Sequence, residues 1–192
     1  TADMVRVHRL TGMRPEEICG LRWSLIDTSR TPWVYRPEQH KNAWRLQPRA
    51  VCIGPRARAI LERHRGGDRP FSPAQAVRER MAALREARKT PVQPSQIDRS
   101  NPAAARVPGE AWDPCAYTRT ISRACARANV EGWGSNRLRH AFATEVRRKF
   151  GLEATRAVLG HSTGARITDR YSFDAIEDEI VGKAAPAVEA LG

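Results

Sequence analysis

Only two short stretches of this 192-residue chain read as β-strand, and the regular structure on either side of them reads as helix. Trp33-Val34-Tyr35 and Ala50-Val51-Cys52-Ile53 are rich in aromatic, β-branched and apolar residues. Between them Glu38 to Pro48 is polar and reads as a hairpin connection with Lys41 in its turn. Before the strands, residues from about Asp3 to Leu10 read as a helix with Met4, Val5, Val7 and Leu10 apolar, ended at Thr11-Gly12. Pro15 suits the first turn of a second helix that carries Ile18, Leu21 and Trp23 inward, with Glu16 and Glu17 near its positive end. After the strands, Pro55 opens a helix through Ala59, Ile60 and Leu61. The expected fold class is α+β, mostly helical with a small antiparallel sheet.

The rest of the chain continues in helices. Residues 73 to about 89 fit an Ala- and Arg-rich helix. Thr90 to Trp112 is rich in Pro, Ser and Ala without a period and reads as a long surface loop, a tolerated insertion or a basic strap. A helix is expected from about Ala116 to Ala128, then a turn and N-cap at Trp133-Gly134-Ser135. A helix from Asn136 to about Phe150 stops at Gly151, and a short one from Leu152 to Leu159 stops at Gly160. The tail from Ala175 is helical in pattern, with Ile176, Ile180, Val181, Val188 and Leu191 apolar and Pro186 set to bend or break it. There are no internal repeats. Residues 1–192 read as one catalytic domain, with 73–112 an insertion and 175–192 a tail. The first residues look like the middle of a helix, which leads us to expect a further domain upstream.

The formal charge is +12 and the isoelectric point about 10.7, a balance that suits a polyanionic partner, nucleic acid first. The plainer reading is a codon bias toward arginine, since only Lys41, Lys89, Lys149 and Lys183 among the 33 basic residues are lysines. Cys19, Cys52, Cys115 and Cys125 are scattered and show no zinc-ligand spacing. Cys19 and Cys52 lie in apolar stretches and read as core, as in a reduced, intracellular protein. No apolar run is long enough to span a membrane.

Three motifs carry chemistry. Thr11-Gly12-Met13-Arg14-Pro15-Glu16-Glu17 resembles the first arginine box of the tyrosine recombinase (phage integrase) family. Leu138-Arg139-His140-Ala141-Phe142 resembles the second. Leu159-Gly160-His161-Ser162, followed ten residues after the histidine by Tyr171, resembles the closing boxes. They stand in the family's order and cover the chain except for 73–112. The resemblance implies site-specific DNA recombination by strand cleavage and rejoining, with double-stranded DNA and a tetrameric synapse as partners, exchange of C-terminal tails, no cofactor and no metal. It implies a cytoplasmic setting, at a prokaryotic nucleoid or in a phage-infected cell.

The residue roles follow the same resemblance. Arg14 and Arg139 hold the non-bridging phosphate oxygens, where charge-assisted hydrogen bonds stabilise the negative charge that builds during attack. Tyr171 is the nucleophile, forming a 3′-phosphotyrosyl link. Lys41 protonates the departing 5′-oxygen. His161 donates to the phosphate and helps position Tyr171. Taken singly, each has a plainer reading: Arg14 in a surface ion pair with Glu17, Arg139 facing solvent, Tyr171 a core aromatic, Lys41 an exposed turn residue, His161 a helix cap.

Two departures stand out. Asn136 occupies the position, three residues before Arg139, where the family usually has His; an amide donates a hydrogen bond but takes no proton at neutral pH. His140 follows Arg139 and faces about 100° away on a helix. The segment between His161 and Tyr171 is also about one residue longer than usual. Two other readings stay open: a catalytically impaired DNA-binding domain that keeps the fold, and type IB topoisomerase-like strand cleavage.

Overall fold

The computed structural model describes residues 1–38, 49–94, 97, 107–160 and 173–191. Within these the element order is α1 (Ala2–Thr11), α2 (Pro15–Cys19), a 3-10 turn (Trp23–Leu25), β1 (Ile26–Asp27), β2 (Trp33–Tyr35), β3 (Val51–Ile53), α3 (Pro55–Glu62), α4 (Pro73–Glu86), α5 (Pro114–Arg127), α6 (Asn136–Leu159) and α7 (Phe173–Leu191). The α+β class expected from the sequence is the one found.

The sheet is antiparallel in the order β1-β2-β3, with Val34 opposite Cys52 and Tyr35 opposite Val51. It has one strand more than the sequence suggested, because β1 is two residues long and too short to show a period. Successive side chains of a strand point to opposite faces. Val51 and Ile53 join one apolar cluster with Met4, Val7, Ile18, Leu61, Tyr117 and Ile121. Cys52 joins another with Phe142, Val146, Val158, Ala184, Val188 and Leu191. Both faces of β3 are therefore covered, which is why every residue of that strand is apolar.

Helix boundaries differ from expectation in four places. Helix α2 is a single turn ending at Cys19, so Leu21 is buried outside it and Trp23 lies in the following 3-10 turn. Helix α5 starts at Pro114, because the Asp113 side chain accepts from the Ala116 N–H and caps it. Ser135 does not cap α6 with its side chain: its backbone is already helical, and its hydroxyl pairs with that of Thr118 at 2.8 Å. Helix α7 runs through Pro186, which has no N–H to give the carbonyl of the exposed Gly182 one turn earlier. The break expected at Gly151 is present as a kink inside α6.

The described parts of 90–112 form no helix or strand apart from one 3-10 position at Pro94. The end of that segment is held: the Gly109 carbonyl accepts from the Ala74 N–H, Glu110 accepts from Ser72, and Trp112 packs edge-on to Tyr117. The second half of α7 packs on β3 and α6 through Ala184, Ala187, Val188 and Leu191, and Arg56 donates to the Leu191 carbonyl. Cys19 and Cys52 are buried as expected. Among the described residues no helix is long and apolar enough to cross a membrane.

Candidate active site

The turn between α1 and α2 is set by Gly12. Its φ of 61° is left-handed, and a Cβ there would stand 2.3 Å from the Phe142 ring of α6. Only glycine lets α6 approach this closely. The approach brings the Gly12 carbonyl to Arg139, whose Nη1 donates to it at 2.6 Å. Arg139 Nη2 donates to the Leu159 carbonyl at 2.7 Å, near the end of the same helix. Arg139 is thus not the solvent-facing residue that a lone helical arginine suggests: it is 9% exposed, while His140 beside it is exposed.

Arg14 follows two residues after Gly12, at the N-cap of α2 with extended backbone. Its backbone N–H donates to Glu17 Oε2 at 2.8 Å and its Nη1 to Oε1 at 2.9 Å. The ion pair with Glu17 does form, but not at the surface, since the Glu17 side chain is 1% exposed and that of Arg14 18%. The carboxylate is ionised there because a second arginine reaches it. Arg49, just before β3, donates to Glu17 through Nε at 2.9 Å and Nη2 at 3.1 Å. Burial alone would raise the carboxyl pKa, but the charge and hydrogen bonds of Arg49, with those of Arg14, bring it down to about 2.

Two arginines therefore hold one carboxylate, and Arg139 lies close enough to feel the charge of all three groups. Burial, then repulsion from Arg49 and Arg14, lowers the Arg139 pKa to about 10, which still leaves it protonated at neutral pH. Behind the turn, the buried His8 lies 2.9 Å from the Met13 carbonyl through Nε2 and 3.2 Å from the Tyr117 hydroxyl through Nδ1. Nε2 must carry the proton, because a carbonyl only accepts. Burial lowers the His8 pKa to about 4, so the ring is neutral and braces the Met13-Arg14 backbone.

The structure brings Arg14 and Arg139 together from distant parts of the chain. Asn136 lies one turn before Arg139 on α6 and is exposed. Lys41, His161 and Tyr171 lie outside the described residues. Sequence reasoning missed Glu17 as the hub and Arg49 as its second partner. Glu17 read as an acid near a helix N-terminus or a surface partner of Arg14, and nothing in Pro48-Arg49-Ala50 marks a buried arginine, a residue type that is mostly exposed.

The family model described as "Phage integrase family" matches residues 1–175. The chain belongs to the phage integrase family. The two segments that resemble arginine boxes in the sequence meet at the Gly12–Arg139 contact. No curated protein matches this chain. Among solved structures, the chain is similar to the XerH site-specific recombinase bound to difH substrate in a pre-cleavage complex, with a TM-score of 0.49 and 17% identity over 88% of this chain. The match spans 44% of the length of that recombinase chain.

Proposed function

We propose that this member of the phage integrase family carries out site-specific DNA recombination, cleaving and rejoining strands through a covalent link to Tyr171. The observation that supports this best is that Arg14 and Arg139 meet at the Gly12 turn, Arg14 held by the buried Glu17 carboxylate and Arg139 by the Gly12 and Leu159 carbonyls. A phosphodiester carries one negative charge, and attack by a neutral nucleophile builds a second on its non-bridging oxygens. Two guanidiniums with fixed orientation stabilise that added charge where it develops. Arg14 Nε and Nη2 have no hydrogen-bond partner among the described residues, which leaves them for the phosphate.

In this reading the Tyr171 oxygen attacks phosphorus and the bond to the 5′-oxygen breaks. Lys41 gives its proton to the departing oxygen, and the phenolic proton leaves to His161 or water, since Asn136 cannot accept it. The energy of the phosphodiester stays in the phosphotyrosyl link, so a second 5′-hydroxyl reverses the step without nucleotide or metal. Residues 1–192 act as the catalytic domain on double-stranded DNA, in a tetrameric synapse with exchange of the tails, in the cytoplasm where that DNA lies.

The test is a duplex nicked beside the scissile phosphate, so that the cleaved fragment diffuses away. An adduct that survives SDS and disappears in Tyr171→Phe is the expected result. DNA binding that weakens with salt but never gives an adduct would identify a binding domain that has kept only the fold. Relaxation of supercoiled DNA without synapsis would point to topoisomerase-like action.

A further inference from the structure

Arg49 spends its whole guanidinium inside the protein. Nε and Nη2 hold Glu17, while Nη1 donates to the Val158 carbonyl at 3.1 Å and the Ala50 carbonyl at 3.3 Å. Its side chain is 3% exposed. Each of its three nitrogens is engaged, and four of its five N–H groups have partners inside the protein. Arg14, in contrast, gives Glu17 only Nη1 from its side chain. The two arginines share a carboxylate but divide the work.

The second set of contacts is at the end of α6. The last carbonyls of a helix lack partners within it and need donors from outside. Arg49 supplies one for Val158, and Arg139 supplies one for Leu159. Both arginines thus hold the turn that ends in Gly160, whose φ is 60°. A Cβ on Gly160 would lie 2.6 Å from Arg49 Nη1, so the strut and the glycine are fitted to each other. His161 is the next residue in the chain.

We propose that Arg49 is a positioning residue of this active site: one guanidinium holds both the Glu17 carboxylate and the last turn of α6, leaving Arg14 open to the substrate phosphate and fixing the point from which the His161 segment departs. The inference rests on the reading of Arg14 and Arg139 as a phosphate clamp. An ionised carboxylate has about four acceptor positions. With Arg49 gone, Glu17 draws in the second Arg14 nitrogen to fill them, and the clamp loses one of its arms.

The experiment measures single-turnover adduct formation by the full chain on two nicked duplexes, one with the ordinary scissile phosphate and one with a methylphosphonate there. The methylphosphonate is neutral and has little use for the clamp. Arg49→Met is expected to slow cleavage of the ordinary phosphate at least about tenfold, with a much smaller loss on the methylphosphonate, as for any group acting on developing charge. Arg49→Lys keeps the charge that balances Glu17, and so the fold, but has no fork to hold two elements. It is expected to show the same selective loss even if Arg49→Met does not fold. Equal slowing on both substrates, or no slowing in Arg49→Lys, overturns the inference. Arg14→Ala is the control. If its loss is not selective for the charged phosphate, the clamp reading fails and this inference with it. A selective loss in Arg14→Ala without one at Arg49 removes only the role of Arg49.

Discussion

Arginines stand in two contrasting settings in this molecule. Near Glu17, Arg49 and Arg139 are buried and reach partners far along the chain, while Arg14 pairs with Glu17 from the N-cap of α2. Along α4, Arg78, Arg80 and Arg85 are exposed on a helix that buries no residue. Arg78 makes only a loose pair with Glu110 at 3.6 Å, both side chains being 66% exposed. The residue type is the same and the physics is not. An exposed charge in water contributes to the long-range field that attracts DNA and is screened by salt. A buried charge with fixed partners contributes a direction in space. The high net charge read from the sequence belongs mostly to the first kind, and the chemistry we propose belongs to the second.

Acid should break this contrast most strongly. The His8 pKa is about 4 in the folded protein against an ordinary 6.5. Between those values the unfolded chain binds a proton that the folded one does not, so stability is fully present above pH 6.5 and falls as pH drops toward 4. Glu17 acts in the same direction lower down: its stabilisation is present above about 4.5 and is lost as pH falls toward about 2. His8 alone is worth up to about 3 kcal/mol over its window. Chemical denaturation at about pH 7.5 and about pH 5 should show the fall, and His8→Gln should flatten it. An unchanged slope in that variant would mean that His8 is not held neutral behind the arginine turn.

A change at the rim of the cluster should have a smaller effect. Asn136 lies exposed, one turn from Arg139. If proton removal from Tyr171 limits the rate, Asn136→His raises adduct formation, by up to about 10²-fold for a well-placed base. A rate that does not rise shows that a missing base is not limiting. The smallest effects belong to α4. Arg80→Ala and Arg85→Ala should change unfolding free energy by less than about 0.5 kcal/mol. Their cleavage rate at saturating protein should match the parent, and any change should appear in the salt dependence of DNA affinity. A large fall in the saturated rate would place α4 in the chemistry and erase the contrast.

The difference between the two settings also explains what the sequence could reveal. Strand β3 was legible because both of its faces are buried, so every residue is apolar. The stops at Gly12 and Gly160 were legible because a left-handed turn favours glycine. The boxes around Arg14 and Arg139 were recognisable as motifs, but their burial was not: it depends on Phe142 closing over Gly12, a contact between distant parts of the chain. Arg49 left no local signal, since its partners, Glu17 and Val158, are 32 and 109 residues away. Strand β1 was lost for a different reason, being too brief for any period to register, and α2 was expected from Pro15 but ends sooner than its apolar residues suggested.

The central claim is that Arg14 and Arg139 act on the scissile phosphate, and the surface arginines do not. It is tested most directly by the single-turnover rate of adduct formation in Arg139→Ala at saturating protein, measured beside its DNA affinity. Loss of one donor to developing charge predicts a fall of about 10²–10³-fold in that rate, with DNA affinity close to that of the parent in a variant that still folds. A folded Arg139→Ala that cleaves at the parent rate once DNA is saturated would contradict the account.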